Sequence, residues 1–145
     1  MDLNLKVEDN PKFLEKIYQT SDYGLAIVDI PPALRSESLK AVIISADYLI
    51  LPTPPTPMDF TTLIETVCIM VVLLRTAYRV LLTKVDSRSL KEISEAQNTL
   101  LELKLPTCHT FICQYKAHER AVLEGAPVRE QRGKIPKQLR RITVG

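Results

Sequence analysis

Glycine is scarce in this chain: four in 145 residues, at Gly24, Gly125, Gly133 and Gly145. A glycine-rich phosphate loop needs two glycines five positions apart, the second followed by lysine and then serine or threonine. Gly133-Lys134 begins to fit, but Val128 stands five positions earlier and Ile135 follows. The sequence therefore encodes no such loop. Tryptophan is absent, and the three cysteines, Cys68, Cys108 and Cys113, never take C-x-x-C spacing. An odd, scattered set excludes a disulfide framework and predicts reduced core thiols in a cytoplasmic protein. The two histidines, His109 and His118, add no metal-ligand spacing to them, and His118 is expected in solvent on a surface helix. The net charge of +2 singles out no partner. The longest apolar run, Val67 to Leu74, is closed by Glu65 and Arg75 and falls far short of the about 20 residues that span a bilayer. A buried helix is its better account. Met1-Asp2-Leu3-Asn4-Leu5 shows no basic start before an apolar run, so neither a secretory signal nor a transmembrane segment is expected.

What is present is average for a folded domain: 46% hydrophobic and 25% charged residues. The length predicts one domain over residues 1–145. Residues 1–22 read as an amphipathic helix using Phe13, Leu14 and Ile17. The end of the chain is basic. From Lys116 onward eight basic residues face three acidic ones, an excess of five. The tail over 129–145 can meet phosphate or acidic lipid through Arg132, Lys134, Lys137, Arg140 and Arg141, or simply be solvated.

Four short apolar runs predict strands: Leu25 to Val28, Tyr48 to Leu51, Tyr78 to Leu82 and Thr110 to Cys113. Their continuous apolar character suits strands covered on both faces. Helical signals lie between them. Ser36 or Ser38 opens a helix to about Ser45. Pro57 and Asp59 precede a longer one from Phe60 to Ala77, with Asp59 as its cap. Ser87 or Ser89 caps a third, with Glu92 at capping-box distance from Ser89. Its buried face is predicted to hold Ile93, Ala96, Leu100, Leu101 and Leu103. A last helix runs from Ala117 to Glu124 and stops at Gly125. Alternating strands and helices predict an α/β fold with a mostly parallel sheet flanked by helices.

Three segments carry chemistry. Leu25 to Val28 delivers Asp29 before Ile30, Pro31 and Pro32. Ligands of open parallel sheets sit beyond the carboxyl ends of strands, where Asp29 can hold Mg²⁺. The pattern also fits a turn aspartate before a proline kink. Tyr48 to Leu51 runs into a stiff loop with Pro52, Pro54, Pro55 and Pro57. Val80 to Leu82 runs into Thr83-Lys84-Val85-Asp86-Ser87-Arg88. Thr-Lys-x-Asp resembles the base-reading motif of GTPases, and equally fits a turn in which Asp86 or Ser87 caps the next helix.

In joint order these segments resemble the ParA/MinD-type partition ATPases. Asp29-Ile30-Pro31-Pro32 is similar to that family's Walker B segment. Ser45 to Pro52 resembles its alanine-aspartate pair leading into a strand that ends in proline. Pro54 to Asp59 resembles its Pro-x-Pro-x-Asp continuation, and Thr83 to Arg88 its Thr-x-x-Asp-x-Arg stretch. Ala121 to Val128 resembles its closing helix and glycine turn. The resemblance runs from about Tyr23 to Val128. It implies an incomplete P-loop NTPase-like domain, with nucleotide met by Asp29, Pro31, Thr83 and Asp86, and magnesium by Asp29. It also implies that Arg88 lies near a dimer or partner surface, and Tyr115, Lys116 and Arg120 near the base or dimer face. A solvated first-turn arginine is the other reading of Arg88.

The family's N-terminal phosphate loop has no counterpart here, and that loop's strand sits in the middle of the family's sheet. Phosphoryl transfer rests on positioning and charge around the phosphates. The isolated chain is therefore expected to need no cofactor and to lack ATPase activity. ATP and magnesium enter only if the resemblance carries function. The expected role is a binding or dimerisation module, with a second copy or a full-length ParA-like relative as partner and DNA as a non-specific one. The alternative is an active ATPase of plasmid or chromosome partition whose phosphate loop comes from an upstream segment or another chain. A GTPase-like module is the third reading.

Overall fold

A computed structural model describes residues 10–14, 16, 19, 24–30, 37–68 and 76–125. Eight elements follow in order: α1 (Pro11–Leu14), α2 (Glu37–Ser45), β1 (Leu49–Thr53), α3 (Pro57–Thr66), β2 (Tyr78–Val85), α4 (Leu90–Glu102), β3 (Thr107–Cys113) and α5 (Lys116–Glu124). The strands form a three-stranded parallel sheet in the order β1-β2-β3, flanked by helices. This is the α/β architecture that the alternating pattern predicts. The chain divides into two compact units: Met1–Leu51 with Thr61–Arg79, and Pro52–Phe60 with Val80–Gly145. Each is described by itself. Among the described residues, no helix is long and apolar enough to cross a membrane.

In the first unit, Leu14, Ala41 and Val42 make a small core against which Val28 and Ile30 pack. Hydrogen bonds tie its segments together, from Thr76 Oγ1 to the Ile43 carbonyl at 3.1 Å and from the Leu49 N–H to the Ala77 carbonyl at 2.9 Å. The predicted strand over Leu25 to Val28 is not formed: residues 25–30 lie outside the sheet. Val28 and Ile30 turn inward every second residue, while Leu25 is 69% exposed and Ile27 83% exposed. The segment buries one side only: among the described residues no strand beside it takes up its backbone groups and outer face. α3 also departs from expectation. It starts at Pro57 and ends at Thr66, residues 67–68 continue it as a wider turn, and Thr76 and Ala77 are not helical. Residues 69–75 of the predicted helix lie outside the described residues. So does Ile17 of the predicted N-terminal helix, of which Pro11–Leu14 is described as helical.

The second unit is built on β2, β3 and α4. Val80, Leu82 and Leu100 are at most 1% exposed. α4 turns Ile93, Ala96 and Leu100 inward, the three-and-four spacing of one helical face. Leu101 and Leu103, expected on that face, are 64% and 44% exposed. Leu101 lies about 100° round the helix from Leu100, and Leu103 is the residue that ends it. The end is a Schellman motif. Lys104 takes a left-handed φ of 56° and donates to the Leu101 carbonyl, and Leu105 donates back to the Leu100 carbonyl at 2.9 Å. α5 ends at Gly125, whose φ of 60° is left-handed, as the glycine stop predicts. Of the cysteines, Cys113 is buried, Cys108 half-buried and Cys68 exposed, so Cys68 is not the core thiol expected.

β2 carries an irregularity that sets its end. Val80 pairs with Thr107, Leu82 with Phe111 and Val85 with Cys113, so the register shifts twice. Lys84 has a φ of 53°. Burial accordingly falls on Val80, Leu82 and Val85, with Lys84 exposed, where plain alternation would bury position 84.

Candidate functional site

Parallel strands end on one side, and that side holds the loops after β1, β2 and β3. All three loops belong to the second unit. Thr53 closes β1 and is 3% exposed, its hydroxyl donating to the Pro54 carbonyl at 3.2 Å. The proline-rich loop then hands over to α3 through Thr56. The Asp59 N–H donates to Thr56 Oγ1 at 3.3 Å, the Thr56 hydroxyl donates to Asp59 Oδ2, and the Phe60 N–H donates to the Thr56 carbonyl at 3.1 Å. Thr56 is thus the cap and Asp59 the third helical residue, not the cap expected. Pro57 takes the first helical position, where its missing N–H costs nothing.

At the end of β2, Asp86 accepts three hydrogen bonds, all from Arg88. Its Oδ1 accepts from the Arg88 N–H at 2.9 Å and from Arg88 Nε at 3.1 Å, and Oδ2 accepts from Arg88 Nη2 at 2.9 Å. The side-chain hydrogen bond from Arg88, then its backbone N–H, holds the Asp86 carboxyl below the usual carboxylate range, and the same bond raises Arg88. Asp86 and Arg88 are both exposed. Ser89 stands at the start of α4 but makes no capping bond with its side chain, so the predicted Ser89–Glu92 box is not formed from the serine side. Instead the Ser89 N–H donates to the Asp86 carbonyl at 3.0 Å.

β3 ends beside β2, with the Gln114 N–H donating to the Val85 carbonyl at 2.9 Å. Burial, then hydrogen bonding and charge from Cys113, raise the Tyr115 hydroxyl above the ordinary tyrosine range, while a hydrogen bond with Ser87 opposes this. His118 packs its ring edge-on to Tyr115, with centroids 6.1 Å apart and planes at 77°. Its Nε2 is buried without a hydrogen-bond partner, so His118 is not the solvated histidine expected. No sequence motif announces this Ser87–Cys113–Tyr115–His118 group. The one signal is an aromatic placed two residues after the end of a strand.

The structure thus keeps Thr83 and Asp86 together at the end of β2, Thr83 half-buried and Asp86 exposed. Asp29 is exposed in the first unit, on the segment that forms no strand. Pro31 and the tail residues Arg132, Lys134, Lys137, Arg140 and Arg141 lie outside the described residues. For magnesium the donor set is thin. Asp29 is a single carboxylate, and among the described residues no group of three His, Cys, Asp or Glu side chains could hold a metal ion. Among the described residues, Asp29 alone does not make a magnesium–nucleotide site.

The fold and strand-end loops define an α/β protein compatible with part of a P-loop NTPase-like fold. No known family profile matches the chain. Over 135 residues it is 51% identical to maintenance of carboxysome distribution protein A of Gloeobacter kilaueensis, a match covering 93% of this chain and 62% of that relative. The chain therefore spans less than two thirds of the length of the relative it matches. At a coarse level the likeness supports the ParA-like resemblance.

Proposed function

We propose that this chain serves a partition-type role of the ParA-like kind, as a binding or dimerisation module in distributing a cellular cargo. The observation that carries this reading is the 51% identity over 135 residues with a relative named for maintaining carboxysome distribution. By that likeness the cargo is a carboxysome or a comparable large assembly. The partner is a second copy or a full-length ParA-like relative, and the basic residues Arg132 to Arg141 are the place for non-specific DNA. The chain does not hydrolyse ATP by itself, since its sequence encodes no glycine-rich phosphate loop and each lost charge-assisted phosphate contact forgoes about 1.5–3 kcal/mol. Asp86 bears on the same reading, because Arg88 already occupies three of its acceptor positions.

The test has two arms. Calorimetry and phosphate release with ATP and magnesium are expected to show neither binding nor turnover. Loss of the chain in its host is expected to disturb the even spacing of the cargo, and undisturbed spacing overturns the role. Loss of DNA affinity with rising salt, and on neutralising Arg132, Lys134, Lys137, Arg140 and Arg141, checks the tail.

The alternative is an ATPase whose phosphate loop and its strand come from elsewhere. One observation favours it: Leu25 and Ile27 lie exposed on an extended segment that takes no place in the sheet. Hydrolysis that disappears in Asp29→Ala decides for this alternative.

A further inference from the structure

We draw no further inference here: the strongest candidate, the segment over residues 24–30 that stands outside the sheet with Leu25 and Ile27 exposed, belongs to the alternative already described, and nothing among the described residues shows what else covers it.

Discussion

Asp86 and Arg88 close on each other across one residue, the carboxylate taking a guanidinium fork and a backbone N–H from the same partner. Arg88→Gln removes the first cause of the lowered Asp86 carboxyl, so its titration is expected to return toward the ordinary range, as followed by carboxyl NMR. The sign follows from linkage. A lowered carboxyl contributes stability above its unfolded value and loses it as pH falls through the folded one. The substitution therefore flattens the acid limb of the stability profile, and at neutral pH it changes little because the pair is exposed.

Helix starts offer a contrast. Thr56 caps α3 through its side chain, whereas Ser89 at the start of α4 does not. Thr56→Ala is expected to cost about 1 kcal/mol in chemical denaturation, and Ser89→Ala close to nothing.

Neighbouring leucines on α4 differ more sharply. Leu100 is 0% exposed and Leu101 64%. Leu100→Ala is expected to destabilise by about 2–5 kcal/mol, while Leu101→Ala stays within about 0.5 kcal/mol of the parent. Equal losses at both positions would contradict the packing described for α4.

Backbone handedness makes a third comparison. A Cβ at Gly125 or at Gly24 meets nothing within 4 Å, but Gly125 holds a φ of +60°. Gly125→Ala is expected to cost about 1 kcal/mol and Gly24→Ala almost none. Lys104, a non-glycine at φ 56°, is the converse, and Lys104→Gly is expected to stabilise by up to about 1 kcal/mol.

Tyr115 gives an alkaline signature. Its hydroxyl is raised first by burial and then by Cys113, so its share of stability is intact below the ordinary tyrosine value of 10.0. That share is lost as pH rises through the folded value. Tyr115→Phe is expected to soften this alkaline loss, measured by denaturation between neutral pH and alkali.

The elements most legible in the sequence were those whose signals are local. β2 and β3 announced themselves as apolar runs, and the core face of α4 through Ile93, Ala96 and Leu100. Gly125 marked the end of α5. Legibility failed where a neighbour decides. Leu25 to Val28 has a strand's composition, yet a strand exists only beside another, and residues 25–30 stand outside the sheet. Thr56 and Asp59 both suit a cap, and the choice fell to the proline between them, which fits the first helical turn. The surroundings of His118 arise from Tyr115 and the fold around α5, which helical periodicity does not reveal. At the strand-end loops, Thr83 and Asp86 were readable as residues, but the guanidinium already seated on Asp86 was not.

The left-handed turn at Lys84 has one more consequence. It acts as a frame correction within β2, spending one residue so that the buried series Val80, Leu82 resumes at Val85 and Asp86 emerges into water. Deleting Lys84 would remove that extra residue, and plain period-two alternation would then bring Val85 inward and leave Asp86 outside without any left-handed turn.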